Sequence, residues 1–238
     1  MLGKLFILTK NKTMKNKFTF LNLILISLLG LSSCGGSDED KTPNKNDTKD
    51  KEKESHEIVW MEKNLNVDTF RNGDPIKEIK SDEEWKKASV EGEPAWCYYE
   101  NDPSNGEKYG KLYNWHAVND PRGLAPDGYR IPTKDEWKAF IDELGKNSGD
   151  KMKSTSGWEN RPNGDDTNGT DESGFTGLPG GYRNHSGNFG SIGYSGDWWS
   201  STESASNAWH YNLSFQDHKM SRATNRKGFG FSVRCIEE

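Results

Sequence analysis

Three cysteines, five histidines and a few paired carboxylates are the side chains of this 238-residue sequence that could do chemistry. The histidines stand at 56, 116, 185, 210 and 218, and none shows the His-x-x-x-His or Cys-His spacing of a zinc site. His210 follows Trp209 in a strand-like segment, where a lone histidine is more often structural. No Gly-x-Ser-x-Gly elbow offers an activated serine. Gly177, Gly180 and Gly181 flank Pro179 without a following Lys-Ser/Thr, so they do not read as a phosphate loop. Asp165 and Asp166 are paired carboxylates of the kind usually solvated in loops. They belong to Asn163–Glu172, a stretch rich in oxygen donors that suit Ca²⁺. That stretch lacks the acidic spacing and flanking helices of an EF-hand, and a polar turn-rich loop is its simpler reading. No catalytic residue and no cofactor is expected; a structural Ca²⁺ in this loop is the one exception its donors allow.

Cys34 takes its chemistry from what precedes it. Lys4, Lys10, Lys12, Lys15 and Lys17 supply positive charge, and the first 33 residues contain no acid. Phe18 to Leu31 is nearly unbroken apolar sequence, shorter than the roughly 20 residues a membrane span needs. A basic start, a short apolar run and small residues after it form a secretory signal, and Met14 offers a compact alternative start. Leu31-Ser32-Ser33-Cys34 resembles the bacterial lipobox. That resemblance implies cleavage after residue 33 and a diacylglyceryl group on the Cys34 thiol. At about 0.8 kcal/mol per buried CH₂, several acyl chains would hold the protein on its membrane.

Removing the five signal lysines leaves 27 basic against 37 acidic side chains, a net charge of −10. Such a balance argues against a nucleic-acid partner. Residues 35–57 contain no aliphatic or aromatic side chain and read as a charged, disordered tether. Ser37-Asp38-Glu39-Asp40 resembles the acidic export signal of surface lipoproteins, which implies the outer membrane and a domain facing the cell exterior.

The elements that must position any site lie in residues 58–238. That segment holds 24 aromatic residues against 18 Ile, Leu and Val, with 21 glycines. A core richer in aromatic than aliphatic side chains suggests short strands and extensive Gly-rich loops. Thr133-Lys134-Asp135-Glu136 is a capping box, and Trp137, Phe140, Ile141 and Leu144 follow on one helical face, with Gly145 as the stop. Ser81-Asp82-Glu83-Glu84 predicts a shorter second helix carrying Trp85 inward. Strands are expected at 93–99, 109–115, 198–201, 208–215 and 228–236. In the last, Phe229, Phe231, Val233 and Cys235 alternate with Gly230, Ser232, Arg234 and Ile236, the pattern of a half-buried antiparallel strand. The expected fold class is α+β, with two main short helices and small antiparallel sheets. Cys97 and Cys235, an even pair in an exported domain, are expected to form a disulfide, worth about 4 to 5 kcal/mol in the chain-entropy model.

Several segments then read together. They are Ala95-Trp96-Cys97-Tyr98-Tyr99, Tyr109-Gly110-Lys111-Leu112-Tyr113-Asn114-Trp115 and Gly128-Tyr129-Arg130-Ile131-Pro132-Thr133. Further on come Ser173-Gly174-Phe175-Thr176-Gly177-Leu178-Pro179-Gly180-Gly181-Tyr182-Arg183, Trp198-Trp199-Ser200-Ser201-Thr202-Glu203 and Gly230-Phe231-Ser232-Val233-Arg234-Cys235. In this order they resemble the Fibrobacter succinogenes major paralogous domain from about Trp60 to Glu238. The resemblance implies a C-type lectin-like fold, related to the formylglycine-generating sulfatase-modifying enzymes. Those enzymes use a pair of reactive cysteines near the C-terminal end of the domain. Here Cys235 stands alone, and their Asn-Val-Trp-Glu-Trp stretch is missing. The Glu-Pro-Asn and Gln-Pro-Asp triplets of calcium-dependent lectins are also missing, since Glu93-Pro94 precedes Ala95.

The expected function is therefore non-enzymatic binding of a glycan, a protein or another cell-surface molecule. The alternatives are an oxidoreductase of the sulfatase-modifying kind, or a structural or adhesive coat protein. Trp198, Trp199 and Trp209 are the candidate ligand-binding residues, although a strand tryptophan more often packs a core. Alternation puts Trp198 and Trp199 on opposite faces, so at most one should be exposed.

Overall fold

The Thr133 hydroxyl accepts from the Glu136 backbone N–H at 3.3 Å, and the Glu136 carboxylate accepts from the Thr133 N–H at 2.8 Å. This closed box starts the longest helix of a computed structural model that describes residues 58–238. The expected signal, the expected lipidation site Cys34 and the expected tether lie outside the described residues.

The helices are α1 (Asp82–Glu91), α2 (Pro103–Tyr109), α3 (Trp115–Val118), α4 (Lys134–Leu144) and α5 (Ser148–Met152). The strands are β1 (Lys77–Glu78), β2 (Ala95–Cys97), β3 (Leu112–Asn114), β4 (Tyr129–Arg130), β5 (Gly180–Arg183), β6 (Phe189–Ile192), β7 (Ser195–Ser204), β8 (Asn207–Ser214), β9 (Ser221–Arg226), β10 (Gly230–Phe231) and β11 (Ile236–Glu237). Few helices beside a mostly antiparallel sheet make this an α+β fold. The main sheet runs β1-β2-β3-β10-β5-β7-β8-β9, with β6 beside β5, and β4 pairs with β11 apart from it. Among the described residues no helix is long and apolar enough to cross a membrane.

Two of the helices match their sequence signals. Gly145 ends α4 with φ +66°, a conformation that favours glycine. In α1 only half of the expected box forms: Ser81 Oγ accepts from Glu84 N, and Trp85 is buried. Three shorter helices were not expected. One of them, α2, has an Asp102 cap and Pro103 in its first turn. Within β5, Gly181 lies against β6: its φ is +64°, and an added Cβ would lie 2.5 Å from Gly190 O.

The antiparallel pair β7–β8 is the axis of the core. Trp198 faces a cluster with Trp137, Trp158, Phe175 and Tyr211, under α4. Trp199 faces the opposite cluster, with Tyr113, Trp115, Phe231 and Val233. The expected alternation is real, but both faces of the pair are covered, so neither ring is exposed.

The C-terminal run departs from expectation for a related reason. It forms two short strands, β10 and β11, and every residue from Gly230 to Ile236 is buried. The segment after Val59 crosses its second side, with Met61 N donating to Cys235 O and Leu65 N to Val233 O. The buried Arg234 guanidinium is satisfied by Asn64 Oδ1 at 2.8 Å and Phe175 O at 2.6 Å.

The expected Cys97–Cys235 bridge is not formed. Both cysteines are free and buried. Cys97 lies with Trp85 in a third cluster, and Cys235 lies with Trp199.

Candidate functional site

The three tryptophans picked out by sequence have different fates. Trp198 and Trp199 are each 0 % exposed. Trp198 Nε1 donates to Asn64 Oδ1 at 2.9 Å, and Trp199 Nε1 donates to Tyr113 O at 2.9 Å. Their expected role in ligand binding is corrected to core packing: each presents no ring face and no spare donor. Trp209, two residues before Tyr211 on β8, is only partly buried.

Trp209 stands apart by its indole N–H. Among the described residues, which include all nine tryptophans, Trp85, Trp96, Trp115, Trp158, Trp198 and Trp199 donate to acceptors inside the protein. Trp60 and Trp137 have sealed N–H groups without partners. Trp209 belongs to neither set, so its donor faces the surroundings.

Two cations reach its ring from different elements. Lys134 Nζ, in the first turn of α4, lies 5.6 Å from the ring centroid. Arg222 Cζ, on β9, also lies 5.6 Å away. The register explains Arg222: Trp209 pairs with Thr224 and Tyr211 pairs with Arg222, so Arg222 sits diagonal to the indole on the same face. The Tyr211 hydroxyl ties the patch together by donating to Lys134 O at 2.7 Å. Burial raises the pKa of that hydroxyl, and the Arg222 hydrogen bond partly offsets the rise. The result is an aromatic ring, a free N–H and two cations at one place on the surface.

A second polar group lies on the opposite face of β7 and β8. Ser195 Oγ donates to Asp197 Oδ2 at 2.5 Å, and Asn212 Nδ2 donates to Oδ1 at 2.9 Å. His210 Nε2 is 3.7 Å from the same oxygen, and its ring stacks on Phe231 at 4.7 Å. His210 Nδ1 is buried and has no partner among the described residues. The separation would suit an ion pair, but burial drives both groups toward their neutral forms. Asp197 is pushed up to about 6, with the Ser195 and Asn212 hydrogen bonds resisting, and His210 is pushed down to about 4.

The remaining candidates are structural. Burial pushes both the Cys97 and Cys235 thiols up to about 12, which suppresses the thiolate that nucleophilic chemistry needs. In the oxygen-rich loop the carboxylates hold their own turns. Asp166 Oδ1 accepts from Asn168 N at 2.9 Å, and Asp171 Oδ1 accepts from Thr176 N at 2.6 Å. Among the described residues, no three His, Cys, Asp or Glu side chains converge as metal ligands.

Lys134 and Arg222 escaped the sequence reading. Lys134 was legible only as part of a cap, and β9 has no apolar alternation to mark it as a strand.

A family model described as the Fibrobacter succinogenes major domain matches residues 56–237, and the chain belongs to that family. No curated protein and no solved structure matches it.

Proposed function

We propose that this is a lipid-anchored surface lipoprotein whose domain binds a glycan or another cell-surface molecule without catalysing a reaction, on a C-type lectin-like frame. Cys34 would carry the anchor and place the domain outside the outer membrane. The observation that carries the binding role is Trp209, whose N–H has no acceptor among the described residues and which is only partly buried. A partly exposed indole with a free donor suits a sugar ring, which offers C–H groups to the ring and hydroxyls to the N–H. The buried, protonated thiols favour this reading over a cysteine-dependent oxidoreductase.

The test is a glycan array probed with the purified chain and its Trp209→Ala variant. The expected result is binding that the variant loses while its unfolding free energy stays within about 1 kcal/mol of the parent. Silence of the parent across the array would remove the carbohydrate version.

A further inference from the structure

We propose that Trp209, Arg222 and Lys134 form a site for an acid-bearing polysaccharide, whose sugar units carry carboxylate or sulfate groups. This rests on the glycan-binding reading and narrows it to one class of glycan. A neutral sugar would have to displace the two cations that lie over the indole ring, whereas an acidic one would pair with them.

Those cations are available. Among the described residues Arg222 has no ion-pair partner, its side chain is exposed, and its contact with the neutral Tyr211 hydroxyl is one a ligand anion would replace. Among the described residues Lys134 pairs with Asp135 alone, at 3.7 Å, and that carboxylate is 84 % exposed. Such a solvent-screened pair is weak and exchanges readily for a ligand anion. A guanidinium presents paired donors matched to the oxygens of a carboxylate or sulfate, and the ammonium adds a second charge. Trp209 N–H and the neighbouring half-buried Thr224 can then serve hydroxyls of the same sugar unit.

The rest of the molecule works against non-specific attraction. The sequence carries net charge −5, so an acidic polymer is repelled at long range. Asp135 and Asp142 on α4 lie near Tyr211 and add local negative charge. Binding must therefore come from contacts shorter than the Debye length of about 8 to 10 Å, which makes the site selective rather than merely sticky.

The experiment measures binding of the detergent-purified full chain to polygalacturonate, dextran sulfate, neutral galactan and polyglutamate at low and high salt. Polygalacturonate or dextran sulfate should bind about tenfold more tightly than galactan at low salt, and the preference should shrink as salt rises. Arg222→Gln and Lys134→Gln should each weaken acidic-polymer binding about five- to tenfold and leave galactan unchanged. Arg222 is exposed and Lys134 is only partly buried, so the test survives if Trp209→Ala fails to fold. Galactan bound as tightly as polygalacturonate, and unaffected by Arg222→Gln, would overturn the acidic site but leave glycan binding standing. Polyglutamate bound as tightly as the acidic sugars would reduce the site to bare charge and overturn it. No binding to any of these polysaccharides would overturn the acidic site, and silence on the glycan array as well would remove the carbohydrate reading on which it rests.

Discussion

At the scale of single residues, the sharpest feature is a pair of buried titratable groups with opposite shifts. Asp197 stands at about 6 in the folded protein, above its ordinary 3.8. Its contribution to stability is therefore present in full below about 3.8 and is lost as pH rises through about 6. His210 stands at about 4, below its ordinary 6.5. Its contribution is present above about 6.5 and is lost as pH falls through about 4. Between about pH 4 and 6 the two slopes oppose each other, so the parent protein should show little pH dependence from this pair. Each variant should expose the partner that remains. His210→Gln leaves Asp197, and stability should fall by about 2 kcal/mol as pH rises from about 4 to 6. Asp197→Asn leaves His210, and stability should rise by a similar amount over the same range. Urea midpoints across that range measure both slopes, and two variants with slopes of the same sign would refute the account.

At the scale of elements, α4 both holds the fold and presents Lys134. Thr133→Ala removes a hydroxyl that accepts from Glu136 N, and should cost about 1 to 2 kcal/mol in a urea titration, with Thr133→Ser close to the parent. A stability unchanged by Thr133→Ala would show that packing of Trp137 alone fixes this helix start. This element was legible because its information is local: a cap, an i, i+3, i+4 face and a glycine lie within one short stretch. The site was less legible because its information is in pairing. Ser221–Arg226 has no strand pattern of its own and becomes β9 only by pairing with β8, so nothing in the sequence placed Arg222 beside Trp209. Period-2 alternation correctly separated Trp198 from Trp199. It could not show that a helix covers one face and a distant segment covers the other. The absent disulfide has the same origin, since counting cysteines says nothing about which cluster each thiol enters.

At the scale of the whole molecule, everything proposed about external ligands depends on Cys34. The argument there is chemical. A thiolate can take a diacylglyceryl group, and a serine hydroxyl is a far poorer nucleophile. Residues 35–57 contain no aliphatic or aromatic side chain that could hold a membrane in place of the lipid. The mature chain's acidic balance would be repelled by anionic headgroups rather than drawn to them. Cys34→Ser should therefore leave the precursor uncleaved by the lipoprotein-specific peptidase and unlipidated, its apolar run at 18–31 retained in the inner membrane and the outer-membrane fraction depleted of the protein, as read by fractionation and mass spectrometry of the N-terminus. A variant still cleaved after residue 33 and still as membrane-bound as the parent would overturn the lipoprotein reading. Protease added to intact cells then decides which way the parent domain faces. Shaving of the parent from intact cells is the expected outcome, because Ser37-Asp38-Glu39-Asp40 would act as the export signal. Protection until the outer membrane is broken would put Trp209 and its two cations in the periplasm, where an external polysaccharide could not reach them.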